Sequence, residues 1–120
     1  MTGPVENPAP AEIPGDVHRA LERGEICLID VREPGEFAQQ RISGALLFPL
    51  STFNARFLPT GGRPIVFCCG TGKRSAAAFE MARRDGVAVR SHLDGGLLAW
   101  RGARLPVFET DPTTGAIRCV

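Results

Sequence analysis

The sequence predicts an α/β fold built on a mostly parallel sheet. Three features carry that expectation. Short apolar runs rich in strand-forming residues alternate with helical patterns at short spacing. One run, Ile26 to Val31, is almost continuously apolar, as suits a strand covered on both faces. Chemistry-bearing residues also sit just past the strands, at Asp30–Arg32, Cys69–Ser75 and Asp94–Gly96. Sites in parallel sheets form at the carboxyl ends of strands, so these three segments should meet on one edge.

Residues 1–11 carry three prolines and read as a loose N-terminal tail. Pro14 opens a helix with Val17, Ala20 and Leu21 on one face, and Gly24 stops it. Ile26 to Val31 is the first strand, and Pro34 to Gln40 a short helix. Ala45 to Phe48 is a second short strand, and Ser51 is placed to cap a helix running to about Phe57. Gly61-Gly62 is a loop before the strand Ile65 to Cys68. The next helix covers Arg74 to Asp85, with Ala77, Ala78, Met81 and Ala82 facing inward and Gly86 as its stop. Val87 to Leu93 is the fourth strand, and Gly95-Gly96 turns into a short helix holding Trp100. Residues 106–120 are polar and turn-rich, with no readable structure. These readings delimit a domain over 12–110 and a C-terminal tail over 111–120.

The 120 residues fall in the single-domain range, and such a domain buries about two-thirds of its unfolded surface. Hydrophobic residues make up 43% and charged residues 22%, an ordinary globular composition. The net charge of +1 points to neither a nucleic-acid nor a membrane partner. No run approaches the ~18 apolar residues of a membrane helix. The N-terminus has neither the basic start nor the apolar stretch of a signal peptide. The four cysteines, Cys27, Cys68, Cys69 and Cys119, form no C-x-x-C pair and lack histidines at zinc-finger spacing. No metal is expected, and a reducing cytoplasm suits four free thiols.

The most informative stretch is Pro64 to Ser75. A strand ends in a cysteine, a glycine-bearing loop follows, then Lys73 and Arg74, then a helix. That order sets a thiol over a helix N-terminus, where unpaired N–H groups and the helix dipole favour negative charge. A thiol there ionises more easily, from about 8.5 toward roughly 3.5–7.5. Lys73 is the sole lysine among 14 basic residues. Side chains alternate along a strand, so only one of Cys68 and Cys69 can easily face the loop. Cys68 formally matches a Cys-(five)-Arg-Ser phosphatase signature, although Phe67 stands where that signature has a histidine.

Three segments together resemble a rhodanese domain: Leu28 to Phe37 with Ile42 to Ala45 after it, Cys69 to Ser75, and Leu93 to Trp100 with Leu105 to Val107. The resemblance runs from about Glu12 to Val107 and implies a five-stranded parallel sheet with helices on both faces. It selects Cys69 as the nucleophile. It implies that Gly70, Thr71, Gly72, Lys73 and Arg74 form the anion-binding loop, with Ser75 starting the helix. Asp30 and Arg32 match an acidic and basic pair beside that loop, Asp30 as its support and Arg32 toward substrate. Asp94 and Trp100 match structural positions. Gln40-Arg41 departs from the Gly-His common in the family. Glu36 stands where larger thiosulfate-specific members often place an arginine, and Cys68 where an aromatic is frequent.

The implied activity is a sulfurtransferase, thiosulfate sulfurtransferase-like, passing a sulfane sulfur through a Cys69 persulfide without any cofactor. The donor would be a small sulfur anion such as thiosulfate or a persulfide. The acceptor would be cyanide, a thiol or a sulfur-accepting protein. A Cys-dependent phosphatase or arsenate reductase and a non-catalytic rhodanese-like regulatory module are the alternatives. Monomer and homodimer stay open. Glu36 reads as a solvated helix residue, His18 and His92 as surface or packing residues, and Cys27 as core. Cys119 lies near the chain end, where an exposed thiol could take up sulfur.

Overall fold

A computed structural model describes residues 8–120. The expected tail over 1–11 falls largely outside the described residues. Its last residue, Ala11, opens the first strand, β1 (Ala11–Glu12). Helix α1 (Pro14–Glu22) follows, with Pro14 in its first turn and Val17 and Ala20 buried. Then come β2 (Cys27–Asp30), α2 (Pro34–Gln39), β3 (Gln40–Arg41) and β4 (Leu46–Leu47). β5 (Ile65–Cys68) leads to α3 (Lys73–Arg84), β6 (Ser91–Leu93) and α4 (Gly96–Gly102). The chain ends in β7 (Phe108–Thr110) and β8 (Ile117–Cys119).

The expected five-stranded parallel sheet is present, in the order β1-β6-β5-β2-β4 with every pairing parallel. Period-two alternation along its strands sorts the core into two layers. Leu28, Val66, Cys68 and Leu93 face a layer with Val17 and Ala20 of α1 and Leu97 and Trp100 of α4. Ile29, Ile65, Phe67 and Cys69 face the other, with Ala78, Phe79 and Ala82 of α3. Helices thus cover both faces, and neighbouring cysteines 68 and 69 fall on opposite sides of the sheet. Trp100 is fully buried and donates its indole N–H to Pro106 O at 2.9 Å.

Several boundaries differ from the sequence reading. The helix expected from Ser51 to Phe57 is instead two single 3₁₀ turns, Leu50–Thr52 and Ala55–Phe57. Ser51 turns its backbone N–H and hydroxyl to Glu33, while Asn54 caps the second turn by accepting from Arg56 N–H. The buried face of α3 is Ser75, Ala78, Phe79 and Ala82; Ala77 and Met81 face outward. The fourth strand covers only Ser91–Leu93, because Val87 N–H closes α3 by donating to Ala82 O and so keeps the segment after α3 off the sheet.

The C-terminal residues 111–120, expected as a tail, fold back. β7 pairs antiparallel with β3 and with β8, forming a second sheet of three strands. Gly115, at φ 75°, lies in the turn, and Arg118 pairs with Glu109 across the strands at 3.1 Å.

Candidate active site

β5 delivers Cys69 to the carboxyl edge of the sheet, and the next residues wrap its sulfur. Gly72 N–H donates to Sγ at 3.0 Å and Ser75 N–H at 3.2 Å. Ser75 Oγ lies 3.4 Å from Sγ. Gly72 makes this possible: it is the residue before α3 and adopts φ 100°, where side chains are strained. Burial pushes the Cys69 thiol up, but the Ser75 hydroxyl and the amides of Ser75, Gly72 and Thr71 outweigh it. The thiol ends below its ordinary 9.0. Cys68 is the opposite case. Burial drives its thiol well above 9.0, the Asp30 carboxylate adds to this, and the side chain packs in the α1–α4 layer. Cys68 therefore lacks what the phosphatase alternative asks of a nucleophile at that position: its side chain is buried in apolar core and faces away from the loop.

A loop that turns its amides inward must turn its carbonyls outward, and those carbonyls need donors. α4 supplies them. Leu97 N–H donates to Cys69 O at 2.8 Å and Leu98 N–H to Gly70 O at 3.0 Å. The backbones press so closely that a Cβ on Gly96 would lie 2.5 Å from Cys69 O and from the Gly70 carbonyl carbon. The sequence puts Asp94–Gly96 on the same edge as the cysteine loop without indicating a task for Gly96. The Gly-Gly pair was its only local signal.

Two ion pairs frame the loop. Arg74 forms a two-pronged bridge with Glu36, Nη1 to Oε1 at 2.7 Å and Nη2 to Oε2 at 3.0 Å. These hydrogen bonds from Arg74 hold the Glu36 carboxyl down from 4.5 to about 2. Glu36 is thus the partner of the loop-closing cation, not a solvated helix residue. The Glu33–Glu36 capping box at the start of α2 fixes its place. The second pair is Asp30 with Arg32, both buried. Arg32 gives Nε and Nη2 to the Asp30 carboxylate at 2.9–3.1 Å, and Nη2 also to Gln40 O at 2.6 Å. Expected toward substrate, Arg32 is 5% exposed and directs Nε and Nη2 to Asp30 and Gln40 O at the end of β2.

The remaining loop positions divide by exposure. Thr71 and Lys73 are exposed at the rim, Gly70 and Arg74 are partly buried, and Ser75 is fully buried. Gly70 is close to the Arg74 guanidinium, 3.2 Å from where a Cβ would stand. The sequence places His92 in a surface or packing role. It is buried on β6, with Nδ1 2.8 Å from Ser75 Oγ. Seventeen positions separate the two, and no local motif announces the contact. Among the described residues, no group of three or more His, Cys, Asp or Glu side chains could hold a metal ion. No helix among them is long and apolar enough to cross a membrane.

Comparison with known proteins fits this geometry. The rhodanese-like domain family matches residues 14–103. An uncharacterised Synechocystis protein is 39% identical over 98 residues, covering 81% of this chain and 55% of its own length. A sulfurtransferase of Allochromatium vinosum is 32% identical, covering 78% of this chain and 88% of its own. A probable adenylyltransferase/sulfurtransferase of Mycobacterium tuberculosis is 38% identical over 72% of this chain but only 23% of its own length. The chain therefore spans about half or less of two of these relatives. Among solved structures, a rhodanese-related protein from Thermoplasma volcanium superposes with a TM-score of 0.72 at 25% identity, covering 82% of this chain and 96% of that one. The parallel sheet, the cysteine loop closed by Arg74 and the matched span together make this chain a member of the rhodanese-like domain family.

Proposed function

We propose that this chain is a sulfurtransferase that carries a sulfane sulfur as a persulfide on Cys69. The observation that carries this reading is the convergence of the Gly72 and Ser75 N–H groups on one sulfur atom, with the Ser75 hydroxyl 3.4 Å away. Such donors favour a sulfur anion before and after transfer. The Cys69 thiolate attacks the outer sulfur of a donor such as thiosulfate. A new S–S bond forms, the donor's S–S bond breaks, and its electron pair leaves with sulfite. Cyanide, a thiol or a thiol on an acceptor protein then attacks the outer sulfur, and Cys69 departs as thiolate. A pre-ionised thiolate needs no general base for the first attack, and neither step calls on a metal or organic cofactor.

Gly70, Thr71 and Gly72 shape the anion loop, Lys73 places positive charge at its rim, and Arg74 closes it. Because Arg74 is already bridged to Glu36, it offers a dianionic donor less than a free guanidinium would. A persulfide donor is thereby as well suited as thiosulfate. The reading requires Cys69 to stay unblocked, which a reducing cytoplasm provides. The test is incubation with thiosulfate and cyanide, following thiocyanate, beside mass spectrometry of the Cys69 peptide. Thiocyanate formation and a reductant-labile sulfur adduct on that peptide are expected. Undiminished thiocyanate formation in Cys69→Ser would refute the assignment.

A further inference from the structure

The Ser75 hydroxyl has one proton and three neighbours: Cys69 Sγ at 3.4 Å, Gly72 O at 3.2 Å and His92 Nδ1 at 2.8 Å. Gly72 O can only accept. The sulfur accepts when it is a thiolate. Nδ1 accepts or donates according to which ring nitrogen holds the proton. Burial lowers the proton affinity of His92, with the Asp94 carboxylate opposing, so the ring is neutral near neutral pH and has one N–H to place. We propose that His92 is a positioning residue for Cys69: its ring carries the proton on Nδ1, donates it to Ser75 Oγ, and so turns the Ser75 hydroxyl toward the sulfur. This rests on Cys69 being the nucleophile.

The other tautomer fails on the donor count. If Nδ1 accepted, the single Ser75 proton would be spent on the ring. The thiolate would lose its hydroxyl donor, whereas Gly72 O keeps the Ala76 N–H at 3.2 Å in either case. With Nδ1–H donating, the hydroxyl is free to rotate about its C–O bond. It points at Sγ while the sulfur is an anion, in a charge-assisted bond. It swings to Gly72 O once the sulfur is capped and accepts poorly. No proton leaves the network. The surroundings leave this choice to Ser75. α3 presents the uncharged Ser75 to the ring, and its Arg74 is turned to Glu36. Glu12 of β1 is held by Arg90 and Ser91, and the charges left near the ring are Asp94 and Cys69 itself.

Ring ¹⁵N NMR of the unmodified protein at neutral pH tests this directly. A protonated Nδ1 is expected; an unprotonated Nδ1 overturns the proposal. Iodoacetamide labelling of Cys69 against pH, read by peptide mapping, is the second measurement. His92→Leu should raise the labelling midpoint by about one unit, a tenfold loss of thiolate below the midpoint. His92→Asn, whose amide N–H can stand near the Nδ1 position, should restore most of it. In a Ser75→Ala background His92→Leu should add nothing; an additive shift, or none in His92→Leu alone, overturns the proposal. If His92→Leu does not fold, the wild-type tautomer still decides. Labelling needs no sulfur donor, so failure to form thiocyanate would count against the proposed activity and leave this result standing.

Discussion

Gly96→Ala should damage the cysteine loop from outside it. The new methyl would sit 2.5 Å from Cys69 O and the Gly70 carbonyl carbon and 2.6 Å from Gly70 O. All three are backbone atoms, which cannot swing away as a side-chain tip can. The residue also holds φ 62°, a conformation that costs a non-glycine about 1–2 kcal/mol. Relief of the clash must separate α4 from the loop, straining the Leu97 and Leu98 hydrogen bonds at about 1 kcal/mol each. The total is roughly 3–4 kcal/mol, a lowering of Tm by roughly 10–20 °C for a chain of this size. A loop shift near 1 Å should cost about 10²-fold in transfer rate on top of that. The assay is urea denaturation, paired with thiocyanate formation at a temperature where both proteins are folded. Gly102→Ala is the control, because it ends the same helix with no positive φ and nothing within 4 Å of the added carbon. It should be neutral or slightly stabilising. A Gly96→Ala variant within about 0.5 kcal/mol of wild type and equally active would refute the packing argument.

Cys69→Ser should lower sulfur transfer by at least about 10³-fold. Cys68→Ser should keep the activity yet lose about 1–3 kcal/mol of stability, since it buries a hydroxyl in apolar core; thiocyanate assays and urea midpoints on both variants separate the two roles. Labelling of wild-type Cys69 with iodoacetamide should show a midpoint below the ordinary thiol value of 9.0, and a midpoint above it would contradict the donor geometry. The Glu36–Arg74 bridge should weaken in acid. Glu36 titrates at 4.5 when unfolded and about 2 when folded, so its contribution is complete above 4.5 and lost as pH falls toward 2. The urea-midpoint gap between wild type and Glu36→Gln should narrow across that window; a constant gap would show that the carboxylate charge is not what Arg74 holds.

What the sequence disclosed follows the range of the forces involved. β2 and β5 were legible because burial on both faces leaves an apolar signature within a few residues. The choice of Cys69 over Cys68 needed only strand alternation together with the phasing of the family resemblance. The Glu36–Arg74 bridge spans 38 positions and the His92–Ser75 contact 17, and neither leaves a local pattern. β8 was hard to see because it is only three residues long and exposed: Ile117 and Cys119 alternate with Arg118 but bury no face, and pairing with β7 holds the strand in place. The expected helix from Ser51 to Phe57 failed for a different reason. A capping residue offers its side chain to whichever partner folding brings near, and for Ser51 that was Glu33.

The site is best understood from its carbonyls. Seven residues from Cys69 to Ser75 cannot aim their N–H groups at one sulfur unless the opposing C=O groups find donors elsewhere. In open solvent, water would fill that role, but the loop would then be free to relax into other turns. Here the first amides of α4 take the Cys69 and Gly70 carbonyls, and the Ser75 hydroxyl is within reach of that of Gly72. Two glycines with positive φ make the geometry possible: Gly72 starts α3 beneath the sulfur, and Gly96 lets α4 approach the back of the loop. The thiol is therefore poised less by the charge of Lys73 or Arg74, one at the rim and the other bridged, than by a backbone clamped from behind. Neutralising Lys73 should accordingly alter donor capture, read as KM, and leave the labelling midpoint of Cys69 nearly unmoved. A midpoint that climbed by a full unit in Lys73→Met would shift the explanation from clamped amides to side-chain charge.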